Sequence, residues 1–284
     1  MNWLDEGALY SSIGLFVRED LGRGDITTQS VLARNARAKG RFVAGEQMVV
    51  AGLEAAEEVF VTLDPQQQLE AFASDGEEVE AGKVIARTSG FADVLLAGER
   101  VALNLLQHLS GVATVTRQFV RAIEGTNAKI ADTRKTTPGL RMLEKYAVLL
   151  GGGTNHRYGL DDGVCIKANH AGITGGLGAA VKSAHEMIGH VHLIAVEVAS
   201  KAEAAAAIEN GGNALVVDGL DPAELADLIG HARALSPQIT VEISGAITLE
   251  NVRTFAEAGP DLIRVDALTQ SVKAMAIGFQ IQPG

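Results

Sequence analysis

The chain has 284 residues, 47% of them hydrophobic, and carries a net charge of −11 at neutral pH. That hydrophobic content is ample for a buried core, and no stretch has the composition of a disordered segment. The acidic balance excludes the basic face that a nucleic-acid partner needs, and the apolar runs fall well short of the roughly 20 residues that span a bilayer.

The opening MNWLDEGALY lacks the positive region and apolar run of a signal peptide and reads as the start of a helix. A turn-rich stretch follows at Glu19–Asp25. Strand-like alternation then runs over Lys39–Val50 and Gln68–Thr88. Within the latter, DGEEVEAGKVIARTSG has the spacing of a lipoyl-type hammerhead, but no modifiable lysine sits at its turn, so a plain β-hairpin is predicted. Apolar residues recur at helical spacing from Ala92 to Ile123, with Ser110-Gly111 as the expected interruption.

From about residue 128 the pattern becomes rhythmic. Apolar strands are predicted at Ala128–Ala131, Val164–Ile166, Leu193–Val198, Ala214–Val217, Ile239–Ile243 and Leu262–Val265. Helical patterns at Ala202–Glu209, Pro222–Ala234 and Leu249–Ala258 separate the later ones, which implies parallel βαβ units. The lone cysteine, Cys165, excludes an internal disulfide, fits a reducing cytoplasm and lies in an apolar run that predicts a packed strand position. No Cys/His metal-ligand spacing is present.

Nearly every one of these strands ends in a polar residue: Asp132, Lys167, Glu197, Asp218, Ser244, Asp266. Both a (β/α) barrel and an open doubly wound sheet place their sites at such strand ends, so this feature does not separate them. Between Arg134 and Lys167 stand six Lys or Arg against three acids, a local +3 in an acidic chain. Arg134 and Lys135 begin one strand-end loop, the glycines of Gly151–Gly153 let the backbone bend before His156-Arg157, and Lys167 ends the next strand. Singly, each cation reads equally well as solvated surface charge. On successive strand ends, the set describes a pocket for a small dianion, since guanidinium forks pair bidentately with carboxylates. A Schiff-base lysine at Lys167 is the competing chemistry, and the surrounding arginines favour carboxylate binding.

The segments DTRKTTPGLRMLEKYAVLLGGGTNHRYGLDD and IKANH resemble quinolinate phosphoribosyltransferases, as do EDLGRGDITT, ERVALNLLQHLSG, SGAITLENVRTFAEAG and ALTQS. The resemblance implies an α/β protein with an N-terminal α/β sandwich domain (1–115, joined by the tail 271–284) and a C-terminal open α/β barrel of about seven strands (116–270). It implies a cytoplasmic enzyme of NAD biosynthesis that converts quinolinate and phosphoribosyl pyrophosphate to nicotinate mononucleotide, pyrophosphate and carbon dioxide. It implies Mg2+ and a homodimer or hexamer, with no nucleic-acid or membrane partner. Residue by residue, Arg100, Thr133, Arg134, His156, Arg157 and Lys167 match quinolinate-binding positions, Arg100 being donated by the neighbouring subunit. Lys135, Glu197 and Asp218 match the catalytic set, the two acids holding the ribose hydroxyls and the metal, directly or through water. Ser244, Gly245 and Ala246 with Val265, Asp266 and Ala267 match two loops that bind the 5′-phosphate.

The chain departs from the family pattern on the ribose-phosphate side. Ala168 and Ala195 stand where acids are usual, Gly219 where asparagine is common, and Asp266 where glycine would expose a backbone N–H to an anion. A carboxylate 4 Å from that anion costs roughly 4 kcal/mol at an effective dielectric of 20 unless it turns away or finds a cation. Arg264, two residues earlier on the same strand face, is the expected cation. The alternative implied is a diverged relative that keeps the dicarboxylate pocket and has changed or lost its co-substrate.

Overall fold

The computed structural model describes residues 6–189 and 191–284. Residues 1–5, on which part of the argument against a leader rests, lie outside the described residues. In chain order the first elements are α1 (Glu6–Leu21), α2 (Ile26–Val31), β1 (Arg37–Ala44), β2 (Met48–Val49), α3 (Leu53–Leu63), β3 (Leu69–Ala71), β4 (Glu78–Val79), β5 (Val84–Phe91) and α4 (Ala92–Ala122). Then follow β6 (Lys129–Ala131), α5 (Arg141–Leu150), β7 (Val164–Ile166), α6 (Ala168–Thr174), α7 (Leu177–Met187), β8 (Ile194–Val198) and α8 (Lys201–Glu209). The chain closes with β9 (Ala214–Asp218), α9 (Pro222–Leu235), β10 (Thr240–Ser244), α10 (Val252–Glu257), β11 (Leu262–Arg264), α11 (Ala267–Gln270) and β12 (Ile277–Pro283). Two compact units result. The first holds the chain up to Arg117 with Thr136–Gly152 and Ser271–Gly284; the second holds Gln118–Lys135 and Gly153–Gln270. Thr136–Gly152, which sequence order places with the barrel, thus packs in the first unit.

The first unit is built on an antiparallel sheet ordered β12-β1-β5-β3. Exposed and buried residues alternate along β1, so one face is wet and the other packed. Phe42 of β1 sits opposite Phe279 of β12, ring centroids 4.7 Å apart, and Phe60 of α3 completes the cluster. Gly40 leaves room for it, since a Cβ there would lie 2.0 Å from the Phe279 ring. Along α1, Leu9, Ile13 and Val17 are buried at four-residue spacing, one helical stripe. The N-cap of α3 is Gly52, which has no side chain to offer, and Asp75 supplies the cap from a distant turn by accepting from Leu53 N at 3.1 Å. Its other oxygen accepts from the Tyr146 hydroxyl at 3.0 Å. Burial pushes the Asp75 carboxyl above its ordinary range, and burial next to that carboxylate pushes the Tyr146 hydroxyl up as well.

Two local expectations are corrected here. The predicted hairpin over DGEEVEAGKVIARTSG does not form: β4 pairs with β2, while β5 pairs with β1 and β3. The intervening turn is captured by the end of β1, where Gly82 N donates to Ala44 O and Ala44 N donates to Lys83 O. Nor do Ser110 and Gly111 interrupt α4. The Ser110 hydroxyl exchanges hydrogen bonds with the Ala51 backbone, and a Cβ at Gly111 would lie 2.4 Å from Lys273 O. Both residues are small because backbone passes close to the helix there.

The second unit is a parallel sheet ordered β6-β11-β10-β9-β8-β7, with helices between successive strands. Its six strands match the predicted ones within a residue or two at each end. The seventh expected strand is reduced to a single parallel bridge from Thr154 to Ala131, because the glycine-rich chain around it leaves the sheet at once. The central strands are buried almost throughout, as strands covered on both faces must be. No helix among the described residues is long and apolar enough to cross a membrane.

Candidate functional site

At the C-terminal ends of the parallel strands lies a cavity of about 590 Å³. Thr133, Arg134 and Lys135 enter it after β6, His156 and Arg157 after the Thr154 bridge, Cys165 and Lys167 from β7 and its end. Glu197 and Asp218 come from β8 and β9, Ser244 and Gly245 from β10 and its end, and Arg264 and Asp266 from β11 and the turn after it. Its walls carry five Lys or Arg against three carboxylates, so the predicted cationic character survives folding. A second hollow of about 430 Å³ shares Glu197 and Asp218 with the first and is otherwise lined by small residues of α6 and the α6–α7 turn, by Leu177, by Val198 at the end of β8, and by Ala199 and Glu203 after it. The two acids therefore stand where two lobes meet.

The loop after β6 is tied down from the opposite wall. The Thr133 hydroxyl donates to Asp266 Oδ1 at 2.8 Å, Lys135 Nζ meets Asp266 Oδ2 at 2.7 Å, and the Thr269 hydroxyl donates to Lys135 O at 2.7 Å. Lys135 N donates in turn to the Thr133 hydroxyl. Asp266 has thus found a cation, but it is Lys135, not Arg264. The strand ends at Arg264, and Asp266 already caps α11 through its carbonyl, so the same-face relation of strand neighbours no longer applies. Arg264 instead approaches Glu242, Nη1 3.8 Å from Oε2, and its Nε is buried without a hydrogen-bond partner among the described residues.

His156 is held at both ends. Its backbone N donates to the buried Asp132 carboxylate at 2.9 Å, and its Nε2 lies 3.0 Å from Glu242 Oε2. Arg157 donates from Nη1 to Gly163 O, which braces the loop between the bridge and β7. Lys167 Nζ stands 3.6 Å from Glu197 Oε2, and both groups are open enough to solvent for water or ligand to exchange into the pair.

Among the predicted residues, Arg100 lies exposed on α4 of the first unit and does not line this cavity. Ala246 is exposed, Val265 wholly buried with its N donating to Ala131 O, and Ala267 part-buried; none of the three lines it. The departures from the family pattern have local explanations in two cases. Gly219 has φ +77°, a left-handed position that glycine and asparagine both adopt. Ala195 is buried in β8, packed with Ala214 and Val216, where an acid would need a partner.

Three site residues were not read from the sequence as such. Glu242 could have been, as a charge in the middle of the apolar strand Thr240–Ser244. Arg264 was read only as a partner for Asp266. Cys165, expected to be packed, is part-exposed on the cavity wall because β7 is an edge strand. A larger concavity of about 840 Å³ lies on the wet face of the first unit's sheet. Several of its charged groups are already engaged, Arg41 with Gln280 and Arg87 over the Phe72 ring, so it lacks the convergent charges of the strand-end site.

The donor set bears on a divalent ion. Among the described residues no three His, Cys, Asp or Glu converge as a metal cage. Glu197 and Asp218 on adjacent strands fit an ion of the magnesium kind, which binds through one or two carboxylates and takes its other ligands from water and substrate phosphate.

Residues 25–110 match the N-terminal domain, and residues 112–280 the C-terminal domain, of quinolinate phosphoribosyl transferase. The chain is 42% identical over 267 residues to a probable nicotinate-nucleotide pyrophosphorylase (carboxylating) of Bacillus subtilis, covering 94% of this chain and 91% of that one. A relative of the same description from Synechocystis is also 42% identical, over 89% of this chain and 85% of its own. The structure of the nicotinate-nucleotide pyrophosphorylase from Francisella tularensis superposes with a TM-score of 0.93 at 33% identity, covering 98% of each chain.

Proposed function

Because this chain belongs to the quinolinate phosphoribosyltransferase family, we propose that its strand-end cavity carries out that family's reaction with the division of labour set out below. The activity is that of a nicotinate-nucleotide diphosphorylase (carboxylating), a phosphoribosyltransferase acting on quinolinate in NAD biosynthesis. One observation carries the assignment of roles. Two strand ends and the Thr154 bridge between them bring Arg134, His156, Arg157 and Lys167 to one cavity, while Glu197 and Asp218 stand at its junction with a second lobe.

Arg134, Arg157, Lys167 and His156, with Thr133, receive the two carboxylates of quinolinate, where guanidinium forks fix the ring by bidentate pairing. So oriented, the pyridine nitrogen attacks C1 of the ribose. The N–C1 bond forms as the C1–O bond to pyrophosphate breaks, through a transition state with oxocarbenium character. Lys135 meets the departing negative charge, and Glu197 and Asp218 favour the positive ribosyl centre. Glu197 and Asp218 would hold a magnesium ion, which would supply further charge for the leaving pyrophosphate. Ser244 and Gly245 receive the 5′-phosphate. The quaternised nitrogen then lies next to the 2-carboxylate, so the C2–carboxylate bond breaks with its electron pair drawn toward the ring, carbon dioxide leaves, and C2 takes a proton. The protein's contribution is orientation and charge placement.

Arg100, exposed on α4, is the residue that a second copy of the chain would contribute, so the working unit is a homodimer or a multiple of it. A cytoplasmic setting is supported by the single cysteine. The test uses quinolinate labelled in its 2-carboxylate, with phosphoribosyl pyrophosphate and magnesium. Stoichiometric release of labelled carbon dioxide and pyrophosphate is expected, and Arg134→Ala is expected to abolish calorimetric quinolinate binding. Absence of carbon dioxide release from the wild type, or unchanged binding by the variant, overturns the assignment.

A further inference from the structure

Strand β10 lies inside the parallel sheet, between β9 and β11, yet its middle residue is a carboxylate. Glu242 is 6% exposed, with Val241 and Ile243 buried on either side. An unpaired carboxylate at that depth would cost several kcal/mol, so its partners define what it is for. They are the His156 ring, through Nε2 at 3.0 Å, and the Arg264 guanidinium at 3.8 Å, both mostly buried themselves. Ser244, two residues on and on the same strand face, lines the cavity with His156 and Arg264, whereas Glu242 does not. Glu242 therefore lies one step beneath the cavity floor, with two cavity-lining groups resting on it.

We propose that Glu242 is a positioning residue for the dicarboxylate subsite, acting through His156. Its carboxylate accepts a hydrogen bond from Nε2–H and favours the imidazolium, so Nδ1–H of the doubly protonated ring is the donor that faces a substrate carboxylate. With the His156 backbone held by the wholly buried Asp132, ring and main chain are fixed independently. The same carboxylate lies 3.8 Å from Arg264 Nη1, so it faces two of the groups that line the cavity. A histidine oriented in advance loses no rotamer freedom on binding, and that advantage goes to the substrate it faces. The inference rests on the assignment of His156 to the quinolinate half of the site.

Two variants and one spectrum test it in the full-length protein. Glu242→Gln keeps the shape and an oxygen that accepts from Nε2–H; Glu242→Leu keeps approximate volume and removes the acceptor. The Leu variant is expected to raise the quinolinate KM roughly tenfold or more, the scale of a lost charge-assisted hydrogen bond, with the phosphoribosyl pyrophosphate KM within about threefold. The Gln variant is expected to recover most of that loss. Nitrogen-15 NMR of labelled histidines, with His156 assigned by its own substitution, is expected to show a proton on Nε2 in the free wild type and on both ring nitrogens once quinolinate is bound. An unchanged quinolinate KM in a folded Leu variant, or parallel rises in both KM values, overturns the proposal. So does an unprotonated Nε2 in the wild type, which decides the matter even where the Leu variant does not fold. If the wild type fails to bind quinolinate at all, the dicarboxylate subsite proposed here falls with the substrate assignment, while the spectrum still reports whether Glu242 orients the ring.

Discussion

Replacing Asp266 by asparagine isolates the most unusual interaction in the site. Asp266 holds Lys135 at 2.7 Å and accepts from the Thr133 hydroxyl at 2.8 Å, so it occupies the lysine proposed to meet the leaving pyrophosphate. The Lys135 side chain is 63% exposed and that of Asp266 28%, which places the pair among solvent-screened bridges of about 0–1 kcal/mol. The partial burial of Asp266 favours the upper end, and about 1 kcal/mol is roughly fivefold in an equilibrium constant. Asparagine keeps an acceptor for Thr133 and removes only the charge. The KM for phosphoribosyl pyrophosphate is therefore expected to fall about two- to fivefold with kcat changed less than about threefold, measured at saturating quinolinate. The difference is expected to shrink between about 0.05 and 0.3 M salt, as a screened exposed pair must. A raised KM, or a kcat lowered by an order of magnitude, would refute this reasoning and make Asp266 a direct contributor to the reaction.

Two further predictions concern stability. Burial raises the Asp75 carboxyl above its unfolded value, so the native state binds that proton more tightly. This contribution is fully present below the unfolded pKa and is lost as pH rises through the folded one. Asp75→Asn removes the ionisation while keeping an oxygen for Leu53 N, so in urea titrations its stability relative to wild type is expected to improve from pH 4 to pH 7. Asp75→Ala is expected to lose about 1–2 kcal/mol at either pH, through the lost α3 cap and the stranded Tyr146 hydroxyl. A flat difference for Asn would contradict the burial argument. For the glycines, a Cβ at Gly111 meets backbone oxygen at 2.4 Å, whereas one at Gly14 in α1 meets nothing within 4 Å. Gly111→Ala is expected to destabilise by about 1–3 kcal/mol and Gly14→Ala to stabilise by about 0.5–1 kcal/mol in thermal or urea unfolding. The same sign for both would show that helix propensity, not clearance, decides.

The parallel strands were legible because burial on both faces writes a continuous apolar run, and the polar residue ending each run marked the site. The sequence does not mark the helices α5, α6 and α7: the first lies within the cationic motif, and the other two are parted by the glycine pair Gly175-Gly176, which reads as a loop. Strand pairing in the first unit was misread for a general reason. Alternation identifies a strand but not its partner, and β5 pairs with β1, some 40 residues earlier, rather than with its neighbour β4.

By itself, the sequence determined which groups are available for chemistry, because ordered motifs such as DTRKTTPGLR and GGGTNHR carry residue identities that folding does not alter. Only the tertiary structure decided how those groups are paired. Asp266 could have faced Arg264 by strand parity, but the strand stops two residues too early, and the carboxylate turns to Lys135 across 131 residues of chain. Arg264 and His156 are thereby left to Glu242, a charge whose meaning depends on what lies above it in three dimensions. Residue type sets the chemistry available to a side chain; distance and burial set which partner it finds, and those are properties of the packed chain alone.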